Sequence, residues 1–208
     1  MTGPARSAGL LLAAGQGRRM GRPKALIEVD GVPLAIRALD ALRDGGVHPL
    51  FVVVGAAADE VAALLPADAE IVRAPDWQDG MGASLRAGLA ALEEIRPPPI
   101  SVVVHLVDLP GVTPQVVRRL SAHSASGVLA RATYAGTAGH PVLFGREHWD
   151  GLRATASGDF GGRRYLASHA VSIVECGDLG EASDVDTPAD LRRYLAANPE
   201  SQAGPELN

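Results

Sequence analysis

Four short runs of aliphatic residues punctuate the first half of the chain, and a stretch with helical spacing follows each run. The runs are "AGLLLAA" at 8–14, "LFVVVG" at 50–55, "EIVRA" at 70–74 and "SVVVHLVD" at 101–108. Continuous apolar strands that alternate with helices are typical of a parallel sheet covered on both faces. The pattern therefore predicts an α/β fold with a mostly parallel central sheet.

Two of the intervening helices have readable starts. Leu85, Leu89 and Leu92 fall on one face of a helix that follows "DGMG". A second helix follows "GVTP", where Thr113 is suited to cap the helix and Pro114 to occupy its first turn. We expect these helices to pack their apolar faces on the sheet and to begin near its carboxyl edge.

The rhythm changes after residue 127, where shorter strand candidates are separated by Gly-rich turns. These candidates are "GVLARATY", "HPVLFG" and "AVSIVECG", and "TPADLRRYLAA" predicts a final helix. The chain has no repeat of fixed period and no clear interdomain linker. We therefore predict a single domain over residues 1–197, followed by a flexible tail at 198–208 that lacks apolar periodicity.

Composition and charge narrow the function classes. The 208 residues carry a formal net charge of −5, which argues against general nucleic-acid binding because a phosphate backbone demands a large basic surface. A single cysteine, Cys176, has no internal disulfide partner, and the amino-terminal apolar run is too short for a signal peptide or a membrane span. We expect a cytoplasmic protein that binds neither nucleic acid nor membrane.

The loop after the first strand carries the first candidate chemistry, because ligands of open parallel sheets bind where strands lead into helices. In "LAAGQGRRMGRPK", three glycines free the backbone and four cations add positive charge, which together predict a phosphate-bearing ligand. A solvated surface turn is the alternative. Neither the dinucleotide fingerprint G-x-G-x-x-G nor the P-loop G-x-x-x-x-G-K-[ST] fits this spacing.

The same segment closely resembles the L-A-A-G-x-x-x-R-M-G-x-P-K signature of MobA-like nucleotidyltransferases, particularly the molybdenum cofactor cytidylyltransferases. The resemblance implies a Rossmann-like three-layer α/β/α fold. It also implies that Arg19 and Lys24 bind the triphosphate and take part in catalysis. The nucleotide-binding residues that it implies in the loop are Leu12, Ala13, Ala14 and Gly15.

A second segment, "DGMGASLRAGL", resembles the family's G-M-x-x-S-L-x-x-G-L motif, which starts a helix beside the nucleotide. By this likeness, Gly82 and Ser84 belong to the nucleotide site, where small residues let a ligand approach the helix amides. The alternative for the residues alone is a glycine-containing helix start with Ser84 as its cap.

Two aspartates are candidates for a metal site. Asp108 follows a buried strand in "HLVDLPGV", and Asp186 precedes a helix in "SDVDTPADL". Carboxylates at such positions suit Mg²⁺, although the residues around Asp108 by themselves favour a turn-forming aspartate. The second segment is also a good helix start with Asp or Thr as cap. The family resemblance implies that Asp108 is a catalytic metal ligand and that Asp186 completes the Mg²⁺ site.

Two later stretches match the cytidylyltransferase-like branch of the family. "GHPVLFGREHW" contains His140, and "GDFGGRRYL" contains Arg163 near a helix start. The resemblance implies that His140 and Arg163 bind the acceptor and its phosphate. A structural turn histidine and a solvated arginine are the alternatives.

The resemblance as a whole implies transfer of CMP from CTP to the phosphate of molybdopterin, with release of pyrophosphate. The "LAAG" form is closer to the cytidine-using branch than "LAGG", which is usual in the guanine-using branch, so CTP is preferred over GTP. Molybdoenzyme maturation proteins are expected as further partners.

Other functions stay open at this point. One keeps the chemistry and replaces molybdopterin by a sugar phosphate. A second is a cofactor-binding or chaperone module without transfer, although Lys24 and Asp108 are both present. A third is an NAD(P)H-dependent oxidoreductase, since the chain is also similar to proteins labelled nicotine blue oxidoreductase. The imperfect dinucleotide fingerprint weighs against this last possibility.

Overall fold

The computed structural model describes residues 7–198, so residues 199–208 of the predicted tail lie outside the described residues. The strands are β1 (Ser7–Leu12), β2 (Glu28–Val29), β3 (Val32–Pro33), β4 (Leu50–Val54), β5 (Ala69–Arg73), β6 (Ser101–Leu106), β7 (Leu129–Tyr134), β8 (Thr137–Gly145) and β9 (Ser172–Glu175). The helices are α1 (Leu34–Asp44), α2 (Ala58–Leu64), α3 (Met81–Glu93), α4 (Pro114–Ser121), α5 (Trp149–Thr155), α6 (Arg163–Ala167) and α7 (Pro188–Ala197).

The central sheet of residues 7–198 has the strand order β5-β4-β1-β6-β8-β7-β9. Strands β5, β4, β1 and β6 are mutually parallel, whereas β8 runs antiparallel to both of its neighbours. Strand β9 returns to a parallel pairing with β7. The prediction of a mostly parallel sheet is confirmed, and β8 is the strand that departs from it.

Helices cover both faces of this sheet. Alternate side chains of β1 enter different cores, with Leu11 in one and Leu10 and Leu12 in the other, because successive residues of a strand point to opposite faces. Helices α1 and α4 pack together on the first face, and α3 and α5 on the second. The predicted three-layer α/β/α arrangement is therefore confirmed.

Two helix starts follow their sequence signals. The Thr113 side chain accepts a hydrogen bond from the Val116 amide at 3.4 Å, with Pro114 in the first turn of α4. At α7, Thr187 and Asp190 cap each other's backbone amides in a capping box. Asp186 is not the cap of this helix, so its carboxylate is free for other contacts.

The β7–β8 hairpin is longer than the sequence predicted, because β8 begins at Thr137 and not at residue 140. The turn uses Ala135 and Gly136, both with positive φ (49° and 78°), a combination suited to tight hairpins. The residues at the start of β8 are Thr137, Ala138 and Gly139, which are small, so their pairing with β7 is not visible in the hydrophobic pattern.

One carboxylate secures this turn. Glu175 accepts hydrogen bonds from the Thr133 hydroxyl at 2.7 Å and from the amides of Ala135 at 2.9 Å, Gly136 at 3.2 Å and Gly177 at 3.0 Å. The Thr133 hydroxyl and these amides lower the pKa of Glu175 to about 2. The ionised carboxylate therefore ties β9 to the hairpin.

The short 28–33 hairpin of β2 and β3 and the helices α5 and α6 were not specified individually by the sequence patterns. No helix within residues 7–198 is both long and apolar enough to cross a membrane.

Candidate active site

A cleft follows the edge of the sheet at which β1, β4, β5 and β6 end. Its first lobe, a cavity of about 390 Å³, is lined by the Gly-rich loop after β1, by the segment before α3 and by Asp108. Its second lobe, of about 860 Å³, lies toward β7 and β8. Residues common to both lobes are Lys24, Met81, Leu106, Asp108 and Asp159.

An ion cluster lies where the lobes meet. The Lys24 ammonium donates to Asp108 Oδ2 at 2.6 Å and also to Asp186 Oδ1, and Arg19 Nη2 donates to Asp186 Oδ2 at 2.6 Å. Lys24 and the two aspartates are mostly buried, whereas the Arg19 side chain is 70% exposed. The structure thus brings together the four residues that the family resemblance implied for triphosphate and metal.

Mutual contacts keep this cluster charged. Burial opposes the charge on Lys24, but Asp108 and Asp186 outweigh that effect and raise the pKa of the ammonium above its ordinary value. Burial likewise opposes ionisation of Asp186, but hydrogen bonds and charge from Lys24 and Arg19 hold its pKa below the ordinary value. The site therefore presents two cations and two carboxylates to a ligand.

The two carboxylates fit a hard divalent cation. Asp108 and Asp186 approach the same ammonium from loops distant in sequence, so their oxygens converge on one small region. Among residues 7–198, no three His, Cys, Asp or Glu side chains gather as a ready-made metal site. A divalent ion bound between them would take two protein oxygens and the rest of its ligands from phosphate and water, which is the usual environment of Mg²⁺.

The shape of the loop depends on Gly17. Its φ is +65°, and a Cβ at this position would lie 2.0 Å from the carbonyl oxygen of Arg22. The Arg22 guanidinium in turn donates to the Leu26 carbonyl at 2.8 Å, which holds the end of the loop. Lys24 is thereby presented to the ion cluster by a compact backbone.

The predicted loop residues divide between cleft and core. Leu12, Ala14 and Gly15 line the first lobe. Ala13 is buried, and its amide donates to the Val53 carbonyl at 2.9 Å, so it supports the loop from β4 and is not among the residues lining the first lobe.

Gly82 and Ser84 also separate. Ser84 lines the first lobe from within α3, and the helix cap is Gly80, so the alternative of a Ser84 cap is wrong. A Cβ on Gly82 would lie 2.5 Å from the Ser157 amide nitrogen. Gly82 therefore permits close packing of the 156–162 loop on α3, whereas Ser84 faces the cleft.

Both predicted acceptor residues lie in the second lobe, as His140 and Arg163. Burial, and then the nearby His105, Arg131 and Arg163, lower the pKa of His140 to about 3, so its imidazole is neutral. Its carbonyl accepts a hydrogen bond from the Tyr134 hydroxyl at 2.7 Å.

Arg131 is a cleft residue that the sequence patterns did not single out. It lines the second lobe and donates through Nε to the Gly139 carbonyl at 2.9 Å. Burial and the charge of Arg163 lower its pKa. Within the described residues, neither Arg131 nor Arg163 forms a salt bridge with a carboxylate. The signal in the sequence was a cation inside the apolar strand "GVLARATY".

The chain is similar in sequence to two curated proteins. The chain is 35% identical over 198 residues to nicotine blue oxidoreductase of Paenarthrobacter nicotinovorans, covering 90% of this chain and 95% of that protein. It is 31% identical over 146 residues to molybdenum cofactor guanylyltransferase of Rhodobacter capsulatus, covering 69% of this chain and 66% of that protein.

The fold is also similar to that of solved structures. The structure of Rv0371c from Mycobacterium tuberculosis H37Rv superposes with a TM-score of 0.82 at 31% identity, covering 94% of this chain and 100% of that chain. A complex of Rv0371C with manganese gives a TM-score of 0.75 at 29% identity, covering 92% and 99%. The model of the MobA-like NTP transferase domain matches residues 9–173. The chain therefore belongs to the MobA-like NTP transferase family.

Proposed function

We propose that this protein transfers a nucleoside monophosphate, CMP from CTP, to the phosphate of molybdopterin with release of pyrophosphate. The observation that carries the proposal is the Lys24–Asp108–Asp186 ion cluster at the junction of two lobes. A transfer between two substrates needs a charged centre between two binding spaces, and this arrangement supplies both.

The first lobe takes the nucleotide. Leu12, Ala14, Gly15 and Ser84 line it, and Lys24 lies where it meets the second lobe. Arg19 and Lys24 bind the triphosphate and oppose the negative charge that grows on the leaving pyrophosphate. Binding of phosphate there draws Lys24 away from the two carboxylates.

Asp108 and Asp186 hold Mg²⁺ in this proposal, because their oxygens suit it and a related structure contains manganese. When bound, the ion supplies neutralisation of phosphate charge. Asp108 is the ligand from the end of β6 and Asp186 the ligand from the start of α7.

The second lobe takes the acceptor. Arg131 and Arg163 offer guanidinium groups without carboxylate partners in the described chain, and guanidinium forks match phosphate oxygens. Neutral His140 adds a polar group without repelling an anion or needing its own counterion. An acceptor phosphate oxygen attacks the α-phosphorus of CTP, the bond from that phosphorus to the β-phosphate bridging oxygen breaks, and pyrophosphate leaves.

The choice of CTP rests on Ala14, the second alanine of "LAAG", which lines the first lobe. A related protein is named guanylyltransferase, so GTP is the competing nucleotide. Oxidation of NAD(P)H is a second candidate function, favoured by the similarity to nicotine blue oxidoreductase along nearly the whole chain.

One assay separates these functions. Pyrophosphate release is measured with Mg²⁺, molybdopterin and CTP, GTP, ATP or UTP separately, and NAD(P)H oxidation is measured in parallel with a quinone acceptor. We expect release with CTP that depends on molybdopterin. Release with GTP alone would transfer the proposal to the guanine branch, and NAD(P)H oxidation without any pyrophosphate release would overturn it.

A further inference from the structure

The order of the strands determines the order of the loops along the cleft. Trp77 follows β5, Gly55 follows β4, Gly15 follows β1 and Asp108 follows β6, in the lateral order β5-β4-β1-β6. Neighbouring strands are about 4.8 Å apart, and the Trp77 side chain lies against Gly55 at the end of β4, two strands from β6, so it is on the order of 10 Å along the sheet edge from Asp108. The first lobe therefore has the indole on its wall, away from the ion cluster.

Gly55 fixes where this indole lies. A Cβ at Gly55 would be 2.5 Å from Trp77 Cγ and 2.9 Å from Ala14 Cβ, so the missing side chain lets Trp77 and Ala14 close on the same backbone. The Ala14 carbonyl accepts from the Ala56 amide at 3.0 Å, and Trp77 begins a 3-10 turn that packs on the core. The wall made by Trp77 and Ala14 is thus held on both sides.

The two tryptophans of the chain have opposite environments. Trp149 is 1% exposed, and its Nε1 donates to the Phe144 carbonyl at 3.1 Å, which accounts for it as a core residue. Trp77 is only partly buried and lines the first lobe. A large aromatic surface left on a cleft wall favours a flat ligand, and bases stack on aromatic side chains regardless of their sequence.

We infer that Trp77 is the contact surface for the nucleobase and that Gly55 positions it. The inference rests on the proposed function in that the ligand of the first lobe is a nucleotide. It adds the residue that binds the base, on the wall of the lobe beside Gly55 and Ala14. In this inference, the base contributes to CTP affinity through Trp77, and the phosphates contribute through Lys24.

The position of Trp77 allows a direct optical test on the full chain. Tryptophan fluorescence is titrated with CTP, and with tripolyphosphate as a probe that has phosphates but no base. We expect CTP to quench emission and tripolyphosphate to leave it unchanged. Trp77→Phe abolishes the quench, whereas the matched Trp149→Phe retains it. Equal quenching by tripolyphosphate, or a full quench in Trp77→Phe, overturns the inference.

Affinity gives the second readout. Trp77→Leu is expected to weaken CTP binding about tenfold by calorimetry while tripolyphosphate binding stays the same, because only the base contact is lost. Gly55→Ala is expected to act in the same direction by pushing the indole into the lobe. Unchanged tripolyphosphate binding also serves as the control for folding.

The outcomes distinguish this inference from the proposed function. Quenching by CTP without any transfer would support the base contact at Trp77 and contradict the proposed transferase function. Transfer with the same KM for CTP in the wild type and in Trp77→Leu would support the transferase function and overturn the base contact. Absence of quenching with CTP, GTP, ATP and NADH overturns it as well.

Discussion

Replacing Lys24 by Met is expected to separate metal binding from transfer. In the free protein the Lys24 ammonium lies between Asp108 and Asp186, so a divalent ion must displace it from both carboxylates. Lys24→Met removes this competitor and leaves the two oxygen ligands in place. We expect Mn²⁺ to bind the nucleotide-free variant more tightly than the wild type, while transfer falls by about 100-fold or more because a phosphate contact is lost.

The magnitude follows from burial. Two unit charges 4 Å apart interact by about 4 kcal/mol at an effective dielectric constant of about 20, and desolvation and side-chain ordering offset most of that energy. The Lys24, Asp108 and Asp186 side chains are 17%, 20% and 18% exposed, so part of the attraction survives. A net competition of about 1–3 kcal/mol corresponds to Mn²⁺ binding that is about 5- to 150-fold tighter.

Arg19→Met provides the matched control. Arg19 also contacts Asp186, but its side chain is 70% exposed, and an exposed pair contributes about 0–1 kcal/mol. Its loss should change Mn²⁺ affinity by less than about fivefold. The measurement is calorimetric titration of metal-free protein with Mn²⁺, paired with a transfer assay. Weaker Mn²⁺ binding in Lys24→Met than in the wild type would refute the competition between ammonium and metal.

Three further changes test the frame of the site. Gly82→Ala places a Cβ against loop backbone and should lower the free energy of unfolding, measured in urea, by about 1–3 kcal/mol. Gly15→Ala, which has open space around its Cβ, should lower it much less. Equal losses of stability in the two variants would contradict the packing role of Gly82. Glu175→Gln should speed hydrogen exchange of the β7–β8 turn amides. The pKa of Glu175 falls from an ordinary 4.5 to about 2 on folding, so its stabilisation of the turn is present above pH 4.5 and is lost as the pH falls toward 2. A difference in amide exchange rates between the wild type and Glu175→Gln that persists below pH 2 would contradict this role. Arg131→Met should raise the KM for the acceptor at least tenfold and leave the KM for CTP unchanged. Arg73→Met, which breaks an exposed ion pair with Asp59, should change neither KM. An unchanged acceptor KM in Arg131→Met would show that Arg131 does not bind the acceptor.

Much of the fold follows from local patterns. The aliphatic runs at 8–14, 50–55 and 101–108 became buried parallel strands, because continuous apolar runs belong to sheets covered on both faces. The run at 70–74 also became a parallel strand, but it lies at the edge of the sheet and is mostly exposed. Thr113 also caps α4 as its sequence predicts. Strand order depends on contacts between distant parts of the chain, and the antiparallel insertion of β8 between β6 and β7 had no local signal.

The candidate site was only partly predictable for the same reason. Family motifs pointed to Lys24, Asp108 and Asp186, and the structure brings them into contact. The motifs did not distinguish Ser84, which faces the cleft, from Gly82, which packs on a loop, because both lie in one short helical segment. Arg131 was missed because the face of β7 on which it lies becomes visible only when β8 and α6 are in place.

Identification of the product tests the central claim most directly. Wild-type protein is incubated with Mg²⁺, CTP and molybdopterin, and the mass of the product is compared with that from the Asp108→Asn variant. In the wild type, Asp108 accepts a hydrogen bond from Lys24 at 2.6 Å, and asparagine keeps the shape of this side chain but removes its charge. Asp59→Asn, on an exposed carboxylate, is the control. The account predicts molybdopterin cytosine dinucleotide from the wild type and the control, and almost none from Asp108→Asn. Equal product from Asp108→Asn and the wild type would contradict it.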